Sequence, residues 1–208
     1  MTSQEEELSL PPIQREVLIG ILLGDGSLQT ESKGKTYRLR ITQSEEHNEY
    51  LLHLYHIFKK FTTSPPIKHM YQDKRDPSKT YMSWSFATTQ QGCFSFYGQQ
   101  FYGPDGVKKV PKIIGELLQP RSIAYWYMDD GAQKWKGKSK GVRFCTDGFL
   151  TSDVQILADL LRKEYNLETN LESKGKNKRV YVSAKSYNLL KELIWEFFIP
   201  SMYYKFPE

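Results

Sequence analysis

Two aspartates are the residues of this chain best placed to do chemistry. Asp25 stands near the end of Leu18-Ile-Gly-Ile-Leu-Leu-Gly-Asp-Gly26, and Asp130 near the end of Ile123-Ala-Tyr-Trp-Tyr-Met-Asp-Asp-Gly131. Asp-Gly by itself marks a turn, and the chain also has it at Asp105 and Asp147. What sets Asp25 and Asp130 apart is that each closes a short apolar segment of helical character, at an offset of about 105 residues. Gly20 and Gly24 fall on one face of the first segment, and each costs a helix roughly 1 kcal/mol against Ala. A helix carries that cost where another backbone comes close. Packing of the two equivalent helices would bring the carboxylates side by side, where they repel unless a divalent cation neutralises them. Oxygen ligands without a neighbouring Cys or His pair select Mg²⁺ over zinc. His53 and His56 share a helical face, which reads as a partly exposed surface rather than a ligand pair.

The elements that must position these aspartates repeat. Ile13 to Leu23 is the first helix; Leu28 to Thr30 and Tyr37 to Thr42 are strands about the turn Ser32-Lys33-Gly34. Glu45 to Phe61 carries an apolar stripe at helical spacing, with Ser44 as its expected N-cap. Ile67 to Gln72 and Tyr81 to Thr88 form a second hairpin, followed by a helix near Gln90 to Tyr97. The order returns with a helix over Arg121 to Met128, strands at Gln133 to Lys136 and Val142 to Thr146, and a helix over Thr151 to Tyr165. Strands Thr169 to Ser173 and Arg179 to Ser183 and a helix Ser186 to Phe198 complete it. The expected fold is α+β, an α-β-β-α-β-β-α unit twice over, spanning residues 13–103 and 104–207 with a linker at about 98–106. Glu31-Ser-Lys-Gly-Lys35 recurs as Glu172-Ser-Lys-Gly-Lys176 at a different element, which is turn chemistry and not the repeat.

The charge is arranged to suit a polyanion. Lys and Arg number 29 against 24 Asp and Glu, and the excess of +5 is clustered. Lys33, Lys35, Arg38 and Arg40 form one cluster, and Lys74 and Arg75 a second beside Lys68. Lys134, Lys136, Lys138 and Arg143 form a third, and Lys174, Lys176 and Arg179 a fourth. Any one of these is an ordinary solvated hairpin tip; four together point to nucleic acid. Strand alternation sends Tyr37, Leu39 and Ile41 to one face and Arg38, Arg40 and Thr42 to the other. A β-ribbon of that kind fits the DNA major groove, where Arg and Lys read guanine. Hydrophobic residues at 39% and charged residues at 25% exclude a disordered chain. The longest run without polar side chains, Val17 to Gly24, is too short to span a bilayer. Cys93 and Cys145 form no CxxC pair, in keeping with free thiols in a reducing compartment. The acidic opening Met1 to Glu7 fits neither a secretory signal nor a transit peptide.

The two nine-residue segments resemble the paired motifs of single-chain LAGLIDADG homing endonucleases, over about Arg15 to Pro207. The resemblance implies two antiparallel sheets forming a DNA-binding saddle, with the motif helices packed at its centre. It implies one catalytic aspartate from each motif, Asp25 and Asp130, with the backbone carbonyls of Gly24 and Asp129 offered to metal. A lysine shortly before a proline completes each half in that family. Lys205-Phe-Pro207 fits, and in Lys108-Lys-Val-Pro111 both Lys108 and Lys109 compete for the role. Gln43 matches an active-site glutamine that orders water, whereas Thr146-Asp147 stands at its counterpart. The implied reaction is Mg²⁺-dependent hydrolysis of both strands of a long double-stranded DNA site by a monomer, with Mn²⁺ or Ca²⁺ substituting for binding. An organellar location, mitochondrion or chloroplast, follows from the resemblance alone. Tyr127-Met-Asp-Asp130 also matches a reverse-transcriptase box, but its helical setting and its repeat exclude that reading. A maturase acting on its own intron RNA, and a non-cleaving DNA-binding regulator, are the alternatives; the presence of both aspartates favours the nuclease.

Overall fold

The computed structural model describes residues 10–208. The acidic opening segment lies outside the described residues. Helix α1 (Pro12–Leu23) starts on a proline, which suits a first-turn position because its missing N–H has no helical partner there. Strands β1 (Ser27–Gln29) and β2 (Arg38–Ser44) follow, then α2 (Asn48–Phe58), β3 (Ile67–Gln72), β4 (Thr80–Ala87) and α3 (Ser95–Phe101). The order then resumes with the short α4 (Ile114–Leu117), α5 (Pro120–Asp130), β5 (Gly131–Gln133) and β6 (Val142–Phe144). Helix α6 (Thr151–Tyr165), strands β7 (Thr169–Lys174) and β8 (Asn177–Val182), and α7 (Tyr187–Ile194) close the second series. A 3₁₀ segment, Pro200–Lys205, ends it.

The strands form two antiparallel four-stranded sheets of identical topology, β1-β2-β4-β3 and β5-β6-β8-β7. In the first, Leu39, Ile41 and Gln43 of β2 are buried while Arg40, Thr42 and Ser44 face out, as alternation requires. Tyr50, Leu51, Leu54 and Phe58 of α2 cover that apolar face. In the second, Val154, Leu157, Ala158 and Leu161 of α6 cover β7 and β8. Each such Val, Leu or Phe side chain contributes about 1.5–3 kcal/mol on burial. Helix α6 ends on Asn166 in the left-handed conformation (φ 53°), a residue type that tolerates it.

Several elements differ from the sequence expectation for local reasons. The long helix expected over Glu45 to Phe61 is a 3₁₀ turn, Glu45–His47, then α2, then a 3₁₀ turn, Lys59–Phe61. Ser44 makes no capping hydrogen bond; it is spent as the last residue of β2. The expected strand Gln133 to Lys136 is displaced to Gly131–Gln133, because Trp135 to Ser139 form a turn closed by the Lys138 N–H on the Trp135 carbonyl (3.0 Å). Helix α3 begins later than expected and runs on past Tyr97 to Phe101. Helix α4 and the terminal 3₁₀ segment had no periodic signal to announce them.

The chain divides into two compact units. One comprises Asp25–Gln99 with residues up to Arg15; the other comprises Gln100–Glu208 with Glu16–Gly24. The body of the first motif helix therefore belongs to the second unit. Among the described residues no helix is long and apolar enough to cross a membrane.

Candidate active site and nucleic-acid interface

Within the second unit, α1 packs against α5 at its glycines. A Cβ placed on Gly20 would lie 2.8 Å from Tyr125 Cβ and 3.1 Å from Trp126 N, and nearer still to the Ser122 carbonyl. One placed on Gly24 would overlap the Asp129 side chain. The glycines are thus required by the backbone approach, and the approach is asymmetric, since Tyr125 stands where the first motif has Gly20. Gly24 and Asp129, the residues that precede the two motif aspartates, meet across this seam.

Two lysines bind the seam's end. Lys108 Nζ donates to the Gly24 carbonyl at 2.9 Å, and Lys205 Nζ donates to the Asp129 carbonyl at 2.7 Å. Lys109 does not take part in that bond: its backbone N–H pairs with the Phe101 carbonyl and its side chain is exposed. Lys205 is 8% exposed, and its segment is clamped from several sides. Tyr127 Oη donates to its carbonyl (3.0 Å), Gln133 Nε2 to those of Tyr204 (3.1 Å) and Phe206 (2.9 Å), and Tyr187 Oη to that of Pro207 (2.6 Å). The Lys108 segment is held by the Val110 N–H on Asp153 Oδ2 (3.1 Å). Sequence reasoning missed Gln133, Tyr187 and Asp153, which carry no motif of their own, and the part of Tyr127, which lies in the second motif but bonds to a carbonyl far along the chain.

Asp130 lines a pocket of about 410 Å³ with Leu23, Gly24, Lys108, Cys145, Asp147 and Phe149 among its walls. Burial pushes the Cys145 thiol above its usual pKa, so it remains a thiol rather than a nucleophile. The Arg179 guanidinium grips Asp147 with both a 2.9 Å bond to Oδ1 and bonds to Oδ2, and this holds the Asp147 carboxyl below the usual range. In the first unit Asp25 is met by Gln43, whose Nε2 donates to Asp25 Oδ2 at 3.1 Å although Gln43 itself is buried. Register makes Thr146 the counterpart of Gln43, and its hydroxyl donates into the sheet, to the Lys178 carbonyl (2.8 Å).

The basic residues divide by environment. Arg40 is exposed; Arg38 is shared between Gln29 (3.2 Å) and Glu31 (3.3 Å). Lys33, Lys35, Lys74, Arg75, Lys136, Lys138, Lys174 and Lys176 stand exposed at turns or strand ends. Lys68 instead pairs with Trp84 in register, on the face that Arg40 does not share, and binds Glu45 at 3.0 Å beside the Trp84 ring. Lys134 and Arg143 converge on Glu172 at 3.2 and 3.5 Å.

Each motif ends in a carboxylate, Asp25 in the first unit and Asp130 in the second, and a carboxylate oxygen is the donor type that suits a hard divalent cation. Among the described residues no three His, Cys, Asp or Glu side chains cluster as a metal cage.

The comparisons with known proteins agree with this geometry. The model of the LAGLIDADG DNA endonuclease family matches residues 15–190. The chain is 33% identical to DNA endonuclease I-ChuI of Chlamydomonas applanata, over 95% of this chain and 96% of that protein. It is 30% identical to the probable intron-encoded endonuclease 1 of Wickerhamomyces canadensis, over 95% of this chain and 85% of that protein. Its fold superposes on the homing endonuclease I-WcaI bound to its DNA recognition sequence with a TM-score of 0.89 and 26% identity, covering 98% of this chain and 92% of that one. With two motifs in one chain, at the ends of two helices that pack through glycine, this protein belongs to the LAGLIDADG DNA endonuclease family as a single-chain homing endonuclease.

Proposed function

We propose that the protein hydrolyses both strands of a long DNA site as a monomer, with Asp25 and Asp130 as the carboxylates that hold divalent metal and Mg²⁺ as the working ion. Activity in this family is divalent-metal dependent. A divalent cation held there would supply Lewis-acid activation of water and charge stabilisation at the leaving 3′ oxygen. The chain's own residues do the rest. Lys108 and Lys205, each on the carbonyl of the residue before an aspartate, set a positive charge beside each reacting position, where it can stabilise the phosphorane-like charge. We assign the role to Lys108 over Lys109 on that bond. Gln43 orients Asp25 by fixing one carboxylate oxygen. The exposed arginine of β2 and the exposed lysines of the turns supply base readout and phosphate contacts.

The observation that carries the reading is the pair of lysine-to-carbonyl bonds, repeated at Gly24 and Asp129. Turn aspartates without a catalytic part have no need of it. An organellar setting, with the protein encoded in an intron, fits the intron-encoded relative. The test is incubation of the intron-less form of the host gene with the protein, with and without Mg²⁺. Double-strand scission at the exon junction only with the ion is expected. Scission that persists in EDTA, or none with the ion present, refutes the assignment.

A further inference from the structure

Asp147 is a third carboxylate that the mechanism above does not use, and it lines the same pocket as Asp130. A scissile phosphate delivered to Asp130 therefore arrives beside Asp147 as well. Uncompensated, that charge would repel the phosphate at every step. The structure compensates it. Arg179, on β8, reaches Asp147 through Nε (2.9 Å to Oδ1 and 3.0 Å to Oδ2) and through its terminal nitrogen. The pair is partly sheltered, with the arginine side chain 16% and the aspartate 35% exposed. The neighbouring loop is pinned to the same strand by the Thr146 hydroxyl on the Lys178 carbonyl and closed by the Phe149 N–H on the Thr146 carbonyl (3.1 Å). Asp147 is thus presented to the pocket by a fixed loop and capped from behind by a fixed guanidinium.

Arg179 belongs to a basic cluster that the sequence assigns to DNA contact, but its fork is directed at an acid of its own chain. We propose that Arg179 is a positioning residue for the second motif: it neutralises Asp147 so that the phosphate meets the charge of Asp130 alone. The assignment rests on the reading of Asp130 as a carboxylate acting on a phosphodiester. It separates cleanly from a direct phosphate contact, because the two roles disagree about what happens when Asp147 is removed too.

The experiment uses the full chain as wild type, Arg179→Gln, Asp147→Asn and the double variant. The DNA is a duplex selected by the wild-type protein from a randomised library, and affinity is measured in EDTA at fixed salt. The same sequence in a supercoiled plasmid reports nicked and linear products with Mg²⁺. Arg179→Gln is expected to weaken metal-free binding about tenfold, as an unscreened like charge near the phosphate does, and to accumulate nicked circles. The double variant is expected to return to within about twofold of wild type in both readouts, because the charge that needed covering is gone. A double variant as weak as Arg179→Gln makes Arg179 a DNA contact and overturns the proposal, as does an Arg179→Gln protein that binds like wild type. Arg179→Lys, which keeps the charge and loses the fork, guards against a folding defect. It should fall between wild type and Arg179→Gln, and identity with Arg179→Gln counts against charge compensation. A wild-type protein that selects no duplex and cleaves none defeats the endonuclease reading itself, and the assignment with it.

Discussion

The two sheets share strand order and pairing register, yet they use their positive charge differently. In β1-β2-β4-β3 the arginine at the centre of β2, Arg40, is exposed on the polar face beside Thr42, and β3 is exposed along its whole length. In β5-β6-β8-β7 the arginine at the matching register position, Arg143, meets Glu172 together with Lys134, and Arg179 meets Asp147. Periodicity decides which face a side chain takes; the acid across the ladder decides whether its charge is offered outward or consumed. The motif ends differ in the same way. Gln43 donates to Asp25, while Thr146, at the same place in the second sheet, donates to the Lys178 carbonyl of β8. One topology therefore carries two distinct surroundings for its aspartate.

The strongest way to break the comparison is to remove the feature both halves share. Asp25→Asn and Asp130→Asn keep volume and a metal-capable oxygen but delete one negative charge, so cleavage of both strands should fall by a factor on the order of 10³ or more. DNA affinity in EDTA should hold or rise. Were the aspartates only turn residues, Asn would serve as well and the rate would barely move. The next effect tests the difference itself. Gln43→Ala should slow cleavage about 10–100-fold, the usual cost of losing a group that orients a ligand carboxylate. Thr146→Val should leave the rate near wild type and cost only about 1 kcal/mol of stability for the lost bond to Lys178. Equal kinetic losses from the two variants would erase the functional asymmetry. Third is the seam. Gly20→Ala puts a methyl against the Ser122 carbonyl and Tyr125 Cβ, so despite a gain in helix propensity of about 1 kcal/mol the net should be a loss of about 1–3 kcal/mol, read by denaturant unfolding. A stabilised Gly20→Ala protein would show that the helices separate readily.

Much of this architecture was legible in the residues. The alternation in β2, the apolar stripe of α2 and the span of α6 follow from period alone, and the glycines at positions 20 and 24 announced a close helix approach. The carbonyls of Gly24 and Asp129, expected from the resemblance to face metal, instead accept from Lys108 and Lys205. What could not be read were pairings set by long-range register. Nothing in Ile67-Lys-His says that Lys68 turns toward Glu45 and Trp84; that depends on β4 lying beside β3. Nor does the lysine-rich tract around Lys134 reveal Glu172, which arrives from β7. The clamp on Lys205 joins Tyr127, Gln133 and Tyr187, whose separation in the chain hides their common purpose.

The smallest expected effect sharpens the comparison of the sheets most directly, because it changes the same residue type at matched positions. Arg40→Ala removes an exposed guanidinium from the polar face of β2, so it should relax base preference at one or two positions by about 1–3 kcal/mol if that group reads guanine. Arg143→Ala removes a guanidinium already bound to Glu172 and to the Lys134 carbonyl (2.8 Å). Its loss should leave the base profile unchanged and cost stability instead. The partly exposed pair with Glu172 is worth no more than about 1 kcal/mol, and Lys134 remains to hold that acid. Base profiles from selection on randomised duplexes, set beside unfolding curves for the two variants, distinguish the cases. A changed base profile for Arg143→Ala would mean that Glu172 releases its arginine when DNA arrives, and the contrast between the sheets would then describe the unbound protein only.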